Sequence, residues 1–226
     1  MIIFDCDGVL VDSEILSCGT DARLMTEAGY PITTESLIAG YIGRPKAEIW
    51  AAIAELRGEP WPDGLLQRAN DLLVERLCTE LEPVRGVARA LDAIGAVEGP
   101  MAVASSSGVE KLRLSLEVCG LWDKFGGRVF SAEMAARGKP APDVFLHAVS
   151  QCGVDPEGCL VIEDSVAGVT AARAAGMTAL GFTGGRHTFP GHAESLAAAG
   201  AWAVVGHMDD LPKAVRSAVE YVASSA

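Results

Sequence analysis

From Met101 onward the chain alternates short apolar runs with stretches of helical periodicity: 101–104 then 109–119, 159–162 then 166–175, and 178–182 then 193–199. That alternation predicts βα units, which feed a parallel sheet and place helices on both of its faces. Ile2-Ile3-Phe4 reads as one more buried strand of the same sheet. Between Asp12 and Pro83 the strand pattern stops. Residues 15–28, 46–56 and 64–81 instead carry apolar positions at helical spacing, set apart by the turns Gly29-Tyr30-Pro31, Gly43-Arg44-Pro45 and Pro60-Trp61-Pro62. The expected architecture is an α/β core formed by residues 1–12 and 85–226, interrupted directly after its first strand by a small all-helical insert, residues 13–84. The two crossings of such an insert lie close together. It can therefore hinge over the carboxyl end of the first strand, where open parallel sheets place their ligands.

Composition supports a packed core and narrows the partners. Half of the 226 residues are hydrophobic and 21% are charged, which is enough apolar surface for a globular chain. A formal net charge of −12 repels phosphate backbones and anionic lipid headgroups, so neither nucleic acid nor membrane is an expected partner. Met1 leads straight into Ile2-Ile3-Phe4 without a basic start, and no apolar run reaches the roughly 18 to 20 residues of a membrane span. A cytoplasmic protein, monomeric or weakly dimeric, is expected. The cysteines Cys6, Cys18, Cys78, Cys119, Cys152 and Cys159 form no CxxC pair and read as reduced thiols.

The chemistry gathers at strand ends. In Ile2-Ile3-Phe4-Asp5-Cys6-Asp7-Gly8 a buried strand runs into two aspartates that start on the same side, while Cys6 points the other way, into the core. Two carboxylates that close raise one another's pKa unless a cation is present. Leu160-Val161-Ile162-Glu163-Asp164 repeats the design, followed by Ser165 and a helix with Gly168 in its first turns. The run 101–104 ends in Ser105-Ser106-Ser107-Gly108, a hydroxyl-rich turn that opens a helix and suits anion binding. Lys139 stands before Pro140-Ala141-Pro142-Asp143, on a stiff loop. Carboxylates, hydroxyls and a lysine at one sheet edge are an inventory for Mg²⁺ and a phosphoryl group.

Asp5-Cys6-Asp7-Gly8-Val9-Leu10-Val11-Asp12-Ser13, then Ser105, then Lys139 in its Lys-Pro-x-Pro-Asp context, then Glu163-Asp164-Ser165 with Gly168 resemble the four ordered motifs of the haloacid dehalogenase superfamily of phosphohydrolases. The resemblance covers essentially the whole chain. It implies a Rossmann-like core, and it likens the insert to the helical cap of the branch that contains phosphoglycolate phosphatase and β-phosphoglucomutase. It implies Asp5 as the nucleophile that forms an aspartyl-phosphate, and Asp7 as the acid and then the base. Mg²⁺ is implied on Asp5, the main-chain carbonyl of Asp7 and Asp164, with Glu163 as a further or water-mediated ligand. Ser105, Ser106 and Lys139 are implied to hold the phosphoryl oxygens of a small phosphorylated metabolite. For the acid role, Asp7 needs a pKa raised toward neutrality, and the nearby Asp5 pushes it that way.

Other residues carry weaker signals. Arg44, and less so Lys46, sit in the turn where caps of this branch read the substrate, and could bind a second anionic group. The loop Gly184-Gly185-Arg186-His187-Thr188-Phe189-Pro190-Gly191-His192 follows a core strand and reads as structural or gating, since its histidines match no defined metal spacing. Trp50 and Trp61 read as packing within the insert. Two rival functions remain: a phosphosugar mutase, against which stands Ser17 near the position where β-phosphoglucomutases usually carry a histidine, and a receiver-type signalling domain, which lacks such an insert.

Overall fold

The computed structural model describes residues 1–41 and 43–225. A six-stranded, fully parallel sheet runs through it, made of β1 (Ile2–Phe4), β2 (Met101–Ser105), β3 (Val129–Ser131), β4 (Leu160–Glu163), β5 (Thr178–Phe182) and β6 (Ala203–Val205). The spatial order is β3-β2-β1-β4-β5-β6. After β1 the chain builds outward through β2 and β3, then crosses back to lay β4 on the other side of β1. The order of strands thus reverses at β1, the kind of crevice in which open α/β sheets bind ligands.

Strand alternation explains the two layers of helices. Ile2 and Phe4 of β1 and Met101 and Val103 of β2 face one side, where they pack with α5 (Val87–Glu98), α6 (Val109–Val118) and α10 (Leu211–Ser225). Ile3, Ala102, Ala104 and Val161 face the other, against α7 (Asp143–Cys152), α8 (Val166–Ala174) and α9 (His192–Ala198). Cys6 is fully buried in the first of these clusters, as alternation requires.

Between Asp12 and Pro83 the chain forms α1 (Ser13–Glu27), α2 (Thr34–Tyr41), α3 (Lys46–Arg57) and α4 (Leu65–Glu80). They enclose a hydrophobic cluster of their own, with Leu24, Met25, Leu37, Trp50 and Ile53 at its centre. Trp50 and Trp61 meet edge to face at 5.3 Å within it, so both pack rather than line the site. The chain leaves and re-enters the sheet domain side by side: Asp12 N–H donates to the Glu82 carbonyl at 3.0 Å and Val84 N–H to the Leu10 carbonyl at 3.0 Å. All six cysteines are free thiols. Among the described residues no helix is long and apolar enough to cross a membrane.

Candidate active site

Register alone brings the acidic strand ends together. Phe4 of β1 pairs with Val103 of β2 and with Ile162 of β4, so the next residue of each strand falls level: Ala104, Asp5 and Glu163. Asp5 N–H donates to the Ile162 carbonyl at 2.9 Å, which holds the aspartate in line with the sheet. Gly8 then turns the chain at φ +81°, where a Cβ would stand 2.0 Å from Asp164 Oδ2. Only glycine meets both demands.

Lys139 enters this edge from the loop before α7 and is 7% exposed. Its ammonium donates to Asp5 Oδ1 at 2.6 Å, Glu163 Oε1 at 2.6 Å and the Ala104 carbonyl at 2.9 Å. Every proton of the cation is used. Glu163 spends its other oxygen, Oε2, on Ser165 N–H and Ser165 Oγ–H, both at 3.0 Å, while Ser165 Oγ caps α8 by accepting from Gly168 N–H at 3.0 Å. Glu163 therefore secures the lysine and the helix start.

Asp5, Glu163 and Asp164 bring carboxylate oxygens within 4.8 Å of one another, all buried. Burial holds Asp5 well above the usual carboxylate range, with Lys139 opposing the shift and Glu163, Asp164 and Asp7 reinforcing it. Asp164 is raised by burial and by Glu163 against the same lysine. A hard, all-oxygen donor set crowded by like charges fits a divalent cation such as Mg²⁺.

Asp7 corrects the expectation from sequence. Burial works to raise its pKa, but the Lys111 ammonium and hydrogen bonds from Ser107, Ser13 and Lys111 outweigh burial and hold the carboxyl at about 2. Lys111 Nζ donates to Asp7 Oδ1 at 2.9 Å, Ser107 Oγ–H to Asp7 Oδ2 at 2.6 Å, and Ser13 Oγ–H also to Oδ1. Ser105 Oγ lies 3.4 Å from Oδ2 and accepts from Ser107 N–H at 3.1 Å. As these side chains stand, Asp7 is an ionised acceptor, not a proton donor. The sequence reading misses Lys111 and names Ser107 only as part of the hydroxyl-rich turn. Ser107 stands just before Gly108, the N-cap of α6, and Lys111 in the first turn donates to Ser107 Oγ at 2.9 Å; a lysine one turn into the helix that the hydroxyl-rich turn opens is the signal that could have found it.

Ser106, expected beside Ser105, is exposed at the rim, and Ser107 supplies the second inward hydroxyl. These groups open onto a cavity of about 350 Å³ between the sheet edge and the helices α1–α4. Its far wall carries Glu14, Ser17, Asp21, Lys46 and Asn70. Burial, and after it the charge of Asp7, raises Glu14 to about 7. Of the two cations between α2 and the first turn of α3, Arg44 lies at the rim, 5.7 Å over the Tyr41 ring and 3.9 Å from Glu48. Lys46 reaches inward to 2.8 Å from the buried Asp21. Gly43 seats this turn on the strand-end edge: a Cβ there would stand 2.8 Å from Ser165 Cβ.

The family model for haloacid dehalogenase-like hydrolases matches residues 2–182. The 6-phosphogluconate phosphatase of Escherichia coli is 30% identical over 190 residues, covering 84% of this chain and 85% of that one. A haloacid dehalogenase-like protein from Agrobacterium tumefaciens superposes with a TM-score of 0.88 at 41% identity, covering 96% of this chain and 97% of that one. A hydrolase of the same family from Deinococcus radiodurans, solved with bound phosphate and sodium, gives 0.81 at 31%, covering 96% and 95%.

Proposed function

The chain belongs to the haloacid dehalogenase-like hydrolase family, and from that premise we propose that it is a Mg²⁺-dependent phosphatase that cleaves a small phosphorylated metabolite through an aspartyl-phosphate on Asp5. The observation that carries this reading is convergence: Asp5 and Asp7 after β1, Ser105 at the end of β2 and Ser107 just beyond it, Lys139 ahead of α7 and Asp164 after β4 all line one cavity. Asp5, Asp164 and the Asp7 main-chain carbonyl would hold Mg²⁺, with Glu163 reached through a water. Bound there, the ion would neutralise charge on the phosphoryl oxygens.

The carboxylate of Asp5 attacks phosphorus while the bond from phosphorus to the substrate oxygen breaks, and Asp7 gives that oxygen its proton. Water then attacks phosphorus, Asp7 takes the proton back, and inorganic phosphate leaves Asp5 free. Lys139 shields Asp5 from the charge it attacks. For Asp7 to carry a proton, Lys111 and Ser107 must transfer their bonds from its carboxylate to phosphoryl oxygens, and both donors already face the cavity. Residues 13–84 act in this scheme as a cap that closes over the site by hinging at Asp12 and Pro83.

Lys111→Met is expected to lower kcat/KM roughly tenfold to a hundredfold, since a hydrogen bond from a charged group is worth about 1.5–3 kcal/mol. Steady-state kinetics on any accepted phosphate ester check this, and an unchanged kcat/KM contradicts a role for Lys111.

The far wall favours a polar tail, either a sugar phosphate or a phospho-acid. Lys46 is the cation positioned to meet an acidic tail, whereas Arg44 at the rim is worth about 0–1 kcal/mol as a surface charge. Arg44→Ala is thus expected to leave the preference between acid-tailed and neutral phosphates within about fivefold, and Lys46→Met to reduce it by roughly tenfold or more. Equal loss from both changes contradicts this assignment. Ser17 on the cavity wall also favours hydrolysis over the mutase alternative. Phosphate release from several monoesters, with no interconversion of glucose 1-phosphate and glucose 6-phosphate, separates the two. A long-lived aspartyl-phosphate without turnover would instead favour a signalling role.

A further inference from the structure

The loop that follows β5 does more than close the sheet edge, because it delivers two imidazoles onto one residue. His187 Nε2 lies 2.9 Å from Asp164 Oδ2, and His192 Nε2 lies 2.6 Å from the main-chain oxygen of Asp164. The rings are 1% and 2% exposed. Neither belongs to the wall of the cavity, so neither is placed to touch substrate.

The backbone around them leaves little freedom. A Cβ at Gly8 would come within 2.6 Å of His187 Cε1, and one at Gly185 within 2.7 Å of His187 Nδ1 and of the Gly8 carbonyl. The His187 ring is therefore wedged between two strand-end turns with Asp164 in front of it. His192 is fixed by its neighbours too. Phe189 stacks on it at 4.7 Å and 13°, and the same phenylalanine packs on the hydrophobic cluster of α1–α4. One residue before His187, Arg186 N–H donates to Asp12 Oδ1 at 2.8 Å, at the point where the chain enters those helices.

We propose that His187 and His192 are positioning residues for Asp164, holding its carboxylate and its backbone in the one orientation that accepts a divalent cation. The inference rests on the reading of Asp164 as a metal ligand. An aspartate on a free strand end samples several rotamers, most of them useless for coordination. Contacts to a carboxylate oxygen and to the residue's own carbonyl remove that freedom before the cation arrives, and losing such supporting contacts typically weakens metal binding about 10- to 100-fold. The segment also joins the metal ligand to Asp12 at the hinge and, through Phe189, to the helical layer.

The test measures Mg²⁺ binding directly, by isothermal titration calorimetry on the substrate-free protein, with thermal melts in chelator as the control for folding. His187→Asn and His192→Asn are too short to keep the contact, while His187→Gln and His192→Gln can present an amide nitrogen near the position of Nε2. We expect the Asn variants to bind Mg²⁺ about 10- to 100-fold more weakly and the Gln variants to recover to within about threefold of the parent. A folded Asn variant at either position that binds Mg²⁺ like the parent overturns the proposal, and the two positions give independent chances to find one. Asp164→Asn separates this from its premise. If it binds Mg²⁺ normally, the metal-ligand reading itself fails; if it loses Mg²⁺ while both histidine variants keep it, only the positioning role fails.

Discussion

Asp5→Asn is expected to abolish phosphate release, by on the order of 10⁴-fold or more, the scale on which enzymes lose turnover when a nucleophile is removed. The substitution keeps the size of the side chain and replaces the attacking carboxylate with a neutral, non-nucleophilic amide. It is also expected to fold. Asp5 is buried with its pKa raised, so its charge is not a source of stability, and Lys139 retains Glu163 at 2.6 Å and the Ala104 carbonyl at 2.9 Å. Phosphate assays run beside thermal melts check both halves. An inactive, well-folded variant is the expected result; substantial turnover would remove the covalent route.

Lys139→Met is expected to produce the largest loss of stability of any change at the site, as well as loss of activity. Among the described residues the ammonium is the one positive charge within bonding distance of Asp5 and Glu163, both of them buried. Removing one partner of a buried ion pair costs about 3–5 kcal/mol, against a total on the order of 5–15 kcal/mol for a domain. The pH dependence has a definite sign. Lys139 opposes the upward shift of Asp5, so without it the folded-state pKa of the carboxyl rises further above its unfolded value. A raised carboxyl is tolerated at acidic pH and destabilises increasingly as pH climbs through its folded pKa. Urea unfolding of the variant is therefore expected to show a smaller deficit relative to the parent at about pH 5 than at about pH 8. A deficit that does not change with pH contradicts the account of Lys139 as the counter-charge of this cluster.

Much of this site is legible in the sequence because its parts are local. An apolar strand that runs into Asp5-Cys6-Asp7 or Glu163-Asp164 announces both the strand and the chemistry at its end, and parallel register then makes those ends neighbours. The helix expected over 166–175 is equally readable, and it forms as Val166–Ala174 with Val169 and Ala172 buried at helical spacing, whereas the helix Val87–Glu98 is not read in advance. What is not legible is built from distant or very short pieces. β3 and β6 are three residues each, like β1, but neither runs into a pair of acids that would mark it as a strand end. Asp7 shows the same limit in chemistry. A pairwise reading of Asp5 against Asp7 predicts a raised pKa, and the opposite holds because Ser107 and Lys111, about a hundred residues along the chain, donate to it. His187 and His192 follow no metal-ligand spacing because each meets Asp164 rather than an ion, and only the fold shows that they share that partner.

The covalent route through Asp5 is tested most directly in Asp7→Asn with p-nitrophenyl phosphate and Mg²⁺. Nitrophenolate leaves without needing an acid, so Asp5 can still be phosphorylated, while hydrolysis of the intermediate lacks its base. The account predicts a burst of one nitrophenolate per enzyme followed by slow turnover, with one phosphoryl group found by mass spectrometry on the peptide that carries Asp5. Steady turnover without a burst, or a phosphoryl group on any other residue, would contradict it.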